Sequence, residues 1–137
     1  MIHPPRFLRE GQSNAIYFYI EGVEGSQCKS KAEEFLEEIR SEQEFKSFWR
    51  KIKSIADNGP PINNTDMFKL LPGNAFEVRG YKLRLFGFFH DDSHHDLILT
   101  FGWKKGKLTE ENRLIRETQY LCVGYRQDPP DLQPSDE

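Results

Sequence analysis

Two runs, YKLRLFGFF (81–89) and DLILTFGW (96–103), face each other across six polar residues, HDDSHH (90–95). Both are rich in aromatic and branched apolar side chains, which suit a pleated, half-buried surface. A six-residue polar connection brings such runs together as an antiparallel hairpin. Just upstream, FEVRG (76–80) reads as a short third strand. The second half of the chain therefore predicts a meander, and the rest must supply helices to cover it.

The helices are legible from their spacing. SKAEEFLEEIR (30–40) gathers Ala32, Phe35, Leu36 and Ile39 on one face. EQEFKSFWRKIKSIAD (42–57) gathers Phe45, Phe48, Trp49, Ile52, Ile55 and Ala56, an amphipathic stripe. Ser41 is placed to cap the second of these, and NGPP (58–61) ends it. LTEENRLIRETQYLC (108–122) predicts a final helix, with Thr109 as N-cap and Glu110 and Glu111 at its positive end. Its expected buried stripe is Leu114, Ile115, Thr118, Leu121 and Cys122. AIYFYIE (15–21) is β-branched and aromatic and reads as a strand, and PINNTDMFKLLPGN (61–74) as a connector. The expected fold is α+β, in the order β-α-α-β-β-β-α: a small antiparallel sheet with its helices on one face. Residues 1–14 are expected to be an irregular lead-in, 15–127 the domain, and 128–137 an acidic, disordered tail.

The 137 residues suit one domain, and 11 Phe, 5 Tyr and 2 Trp supply its core. The formal charge of −3 argues mildly against a nucleic-acid partner. Four of the acids, however, lie in the last ten residues; without that segment 19 basic residues face 18 acidic ones. Local charge pattern then counts for more than the sum. No apolar run approaches a membrane span, and the N-terminus lacks the pattern of an export signal, so a cytoplasmic protein is expected. Cys28 and Cys122 are then expected to be free thiols.

Three histidines and three aspartates in HDDSHHD (90–96) raise the question of a metal. Ligands confined to one tight turn mostly point apart, and Asp, Ser and His are ordinary turn residues. A solvated turn with no metal is the expectation. The strands say more. Alternation puts Tyr81, Leu83 and Leu85 on one face and Lys82, Arg84, Phe86 and Phe88 on the other. Arg79 closes the preceding strand, and Lys104, Lys105 and Lys107 follow the last one. Cations beside aromatics suit RNA, because cations hold phosphates while rings stack on bases. Arg79, Lys82, Phe86, Phe88 and Lys107 are the candidate RNA-binding residues, against the alternative of a solvated, aggregation-resistant strand.

The segment 70–121 resembles the RelE/ParE toxin superfamily, most closely its phage-derived HigB-like branch. The resemblance is carried by Leu71-Pro72, Glu77-Val78-Arg79, Leu83-Arg84-Leu85-Phe86 and Phe101-Gly102-Trp103-Lys104-Lys105, in that order. With the helix pair and NGPP it extends over residues 15–122. It implies a small twisted antiparallel sheet with two N-terminal helices and a C-terminal helix. It also implies a toxin of a type II toxin–antitoxin system that cleaves mRNA at the ribosome with neither metal nor cofactor. The ribose 2′-OH attacks the adjacent phosphate, which needs a proton acceptor and cations for the developing charge. By motif, Arg84 falls on the arginine that contacts the scissile phosphate, and Lys104 and Lys105 on a catalytic or phosphate-binding step. The implied partners are mRNA, the ribosome and an antitoxin of helix-turn-helix type. Glu77 stands where RelE carries a lysine, and Tyr120 and Tyr125 come too late to match its helix-borne tyrosine. A ParE-like gyrase inhibitor and a non-catalytic interaction protein of the same fold are the alternatives.

Overall fold

Alternation along the strands decides the layering. The computed structural model describes residues 5–20, 30–61, 64–106 and 108–132. Its element order is β1 (Arg6–Glu10), β2 (Ala15–Phe18), α1 (Lys31–Glu38), α2 (Phe45–Asn58), β3 (Phe68–Leu71), β4 (Ala75–Arg79), β5 (Leu83–Phe89), β6 (Asp96–Lys104) and α3 (Leu108–Gln127). The six strands form one sheet in the order β1-β2-β6-β5-β4-β3.

The α+β class is as expected, but three features of the sheet differ. β1 arises within the supposed lead-in, as the outer arm of an antiparallel hairpin with β2. β3 arises within the supposed connector and pairs antiparallel with β4. The sheet is also mixed rather than antiparallel, because β2 lies parallel to β6, from Ala15↔Asp96 to Phe18↔Leu99. The observed order is thus β-β-α-α-β-β-β-β-α, with β1 and β3 as the two edge strands.

Helices cover both faces rather than one. Ile16, Phe18, Val78, Leu83, Leu85, Leu97 and Leu99 join Phe35, Leu36, Phe48 and Ile52 of α1 and α2 in one core. The residues between them on the strands point the other way. Ala15, Tyr17, Phe88 and Ile98 meet Cys122 and Tyr125 of α3, while Phe86, Phe101 and Trp103 meet Leu114. With apolar residues on both faces, burial in water requires two helical layers.

A bulge on β6 adjusts this pattern. Phe86 pairs with Phe101 but Gly87 with Leu99, leaving Thr100 without a partner. Thr100 and Phe101 therefore both face α3. Thr100 Oγ1 lies 2.8 Å from Thr118 Oγ1 and donates to Phe86 O at 3.1 Å, so the buried hydroxyls are satisfied. The shift turns Gly102 toward α1, where a Cβ would collide with the Phe35 ring.

The helix ends need two corrections, the first being that α3 starts at Leu108, so Thr109 lies within its first turn rather than at its N-cap. Ser30 caps α1 by accepting from Glu33 N at 3.1 Å. α2 begins behind Glu44, not Ser41. The Glu44 carboxylate serves another element: it accepts from the backbone N–H groups of Tyr81 and Lys82 (2.9 Å for Lys82), pinning the β4–β5 turn to the α1–α2 corner. Gly80 permits that approach, since a Cβ there would meet Glu44 and Phe48. Leu132, in the supposed tail, packs against the cluster of Tyr17, Phe88, Cys122 and Tyr125; residues 133–137 lie outside the described residues, as does Cys28. No helix among the described residues is long and apolar enough to cross a membrane.

Candidate nucleic-acid interface

Strand register brings the expected cations to one end of the sheet. Arg79, Arg84 and Trp103 lie side by side across β4, β5 and β6. Glu77, Phe86 and Phe101 form the adjacent row. Both rows face α3. The turn carrying Lys82 abuts the turn carrying Lys105, whose N–H donates to Lys82 O at 2.7 Å.

The cations do not all point the same way. Lys104 faces the α1–α2 side and pairs with Glu42 at 2.9 Å, an exposed bridge worth about 0–1 kcal/mol. Lys82 and Lys105 are exposed and pair with no carboxylate among the described residues. The Lys82 ammonium sits 5.9 Å from the centroid of the Tyr81 ring, which is 73% exposed. Lys107 lies outside the described residues.

Phe86 and Phe88 correct the expectation most sharply. Both are wholly buried beneath α3. Their rings fill the core, Phe88 edge-on to Tyr125, and present no face to a base. Tyr81 is the aromatic at this end that does present one. Alternation in β5 had placed it opposite Arg84, but it sits in the turn before the strand begins.

Beneath this surface lies a buried charge cluster. Glu77 is 3% exposed and Arg84 9%. Arg79 Nε is 2.9 Å from Glu77 Oε2. Arg84 Nε is 3.4 Å from the same oxygen and 3.9 Å from Glu111 Oε2 in the first turn of α3. These are ion pairs by distance without hydrogen-bond alignment, so both Nε–H groups are buried donors that no acceptor among the described residues satisfies. The remaining contacts are backbone ones: Arg84 Nη1 donates to Gly80 O at 2.6 Å and Arg79 Nη1 to Thr65 O at 3.0 Å. Burial pushes the Glu77 carboxyl above its ordinary pKa, with Glu111 adding to the rise and Arg79, Arg84 and Lys69 opposing it. A carboxyl raised by burial is a stronger base once ionised. The pairing was readable in outline, since Glu77 and Arg79 stand two apart on a strand and share a face.

The histidine turn divides its side chains among separate partners. His90 Nδ1 lies 2.7 Å from Tyr125 OH, His94 stacks on Phe89, and His95 lies 3.0 Å from Asp96. Asp91 accepts from Ser93, which lowers its pKa, and Asp92 pairs with Arg126 at 2.7 Å. No group of three or more metal-ligating side chains converges among the described residues. Tyr125, which the sequence reading set aside, is thus the anchor between this turn and α3. Its burial raises its phenol pKa well above normal.

No family model and no curated protein matches the chain. Function therefore rests on the residues and their geometry.

Proposed function

We propose that this protein is an RNA-cleaving toxin of the RelE-like kind, acting at the β4–β5–β6 end of its sheet. One observation carries the proposal: Glu77, a buried carboxyl with a raised pKa, lies between two guanidinium groups that each keep an unsatisfied Nε–H. Cleavage of RNA by its own 2′-OH needs those parts. Glu77 takes the 2′-OH proton, and Arg79 and Arg84 hold the phosphate oxygens as charge builds in the transition state. The 5′-oxygen leaves and takes a proton from water, giving a 2′,3′-cyclic phosphate. Lys82 and Lys105 guide the neighbouring phosphates, and Tyr81 offers a ring to a flanking base.

The position of Glu111 means that the first turn of α3 must shift for a phosphate to reach Arg84. The cellular partners consistent with this reading are mRNA on the ribosome and a cognate antitoxin that covers the cationic end. On this reading Lys104, paired with Glu42, supports the corner rather than the phosphate.

A second reading has its own observation. Arg84 is held by two carboxylates under α3, which suits a non-catalytic interaction protein in which the cluster is purely structural. Expression in a bacterial host separates the two. The proposal expects growth arrest with mRNA cleavage, and relief by Arg84→Lys in a folded variant, because lysine lacks the planar fork. Harmless expression of a folded chain, or arrest unaltered in Arg84→Lys, supports the second reading.

A further inference from the structure

The outer face of α3 has features that the fold itself does not use. The helix lays Leu114, Thr118, Cys122 and Tyr125 on the sheet. On the opposite side, at spacings of three and four, lie Arg113, Arg116, Tyr120, Val123, Gly124 and Gln127, all exposed. Tyr120 is 77% exposed and Val123 61%. Between them and Gln127 sits a glycine in a helix interior, where alanine would be more stable. Internal packing does not demand it, because a Cβ at Gly124 would meet nothing within 4 Å. What a bare Cα supplies is close approach by another chain. A shallow groove lined by Tyr19, Leu121, Val123, Gly124 and Gln127 runs beside it.

We propose that this face pairs with the same face of a second copy, the two α3 helices antiparallel about a two-fold axis at the level of residue 122. In such an isologous contact residue i opposes j and j opposes i. The charges select this arrangement. With the axis at 122, Arg116 opposes Asp128 of the other copy, the residue just past the end of α3, while the Tyr120 ring lies over Gly124. Arg116 and Asp128 are exposed and form no ion pair among the described residues. A parallel pair would set Arg116 against Arg116. Moving the axis to Tyr120 or to Gly124 loses this ion pair. The sheet-end site plays no part in this contact, so the dimer stands or falls independently of RNA cleavage.

One helix pair buries less than the roughly 1,200 Å² of a tight complex, so the dissociation constant is expected on the order of micromolar. Sedimentation equilibrium of the full chain over a wide concentration range tests this. The expected result is a monomer–dimer equilibrium that added salt weakens. Gly124→Glu and Arg116→Asp should each weaken it by about tenfold or more. Adding Asp128→Arg to Arg116→Asp should restore it. All three positions are exposed, and matching thermal melts at low concentration establish that the variants fold. A chain monomeric throughout, a dimer indifferent to Gly124→Glu, or a charge swap that restores nothing overturns the proposal.

Discussion

Glu77 shows how one side chain can be a liability to the fold and an asset to the site. Burial alone would expel its charge, and two guanidinium groups only partly offset that. The folded carboxyl therefore holds its proton more tightly than the unfolded one. Stability from that proton is complete below its ordinary pKa of 4.5 and is lost as pH climbs through the folded value. Glu77→Gln fixes the neutral form. Its melting temperature minus that of the wild type should rise from about pH 4 to about pH 7, and a flat difference would deny the raised pKa. Tyr125 makes a simpler case. Its hydroxyl meets His90 while its ring packs edge-on to Phe88 at 5.0 Å between centroids. Tyr125→Phe keeps the ring and loses the bond, so denaturant unfolding should show a loss of about 1–2 kcal/mol.

At the scale of elements, two glycines of similar appearance predict opposite signs. Gly102 on β6 lies against the Phe35 ring, and Gly102→Ala should cost about 1–3 kcal/mol through overpacking. Gly124 on α3 has open space, and Gly124→Ala should stabilise the monomer by about 0.5–1 kcal/mol in melts at low concentration. The helices and the central strands were readable because each carries its own period. The edge strands were not read, though one left a signal. β3 ends at Leu71 and β4 starts at Ala75, joined by Pro72-Gly73-Asn74 with φ of +77° at Gly73 and +63° at Asn74. Proline followed by glycine and asparagine is a turn motif, so LPGN was a hairpin read as a connector. β1 was masked by the prolines before it and by the half-buried, charge-interrupted RFLRE.

At the scale of the molecule, what stayed hidden was non-local. The parallel contact of β2 with β6 joins residues about eighty positions apart, and no local period encodes it. The same sheet carries its second helical layer because α3 buries Phe86 and Phe88, which alternation alone left facing solvent. The candidate site was half legible for that reason. Its cations and their common end of the sheet were readable from spacing, whereas the burial of Arg84 depended on where α3 lies. The histidine turn, whose side chains each have a partner, predicts that a chelator leaves the melting temperature unchanged; a drop would mean a bound metal.

The most direct test is cleavage of RNA by purified protein with ribosomes and excess chelator, comparing wild type with folded Glu77→Gln. Wild type should yield 2′,3′-cyclic phosphate ends, and the variant should be slower by about 100- to 10,000-fold, the usual contribution of a general base. Equal rates in the two proteins, or no cleavage by either, would contradict the account.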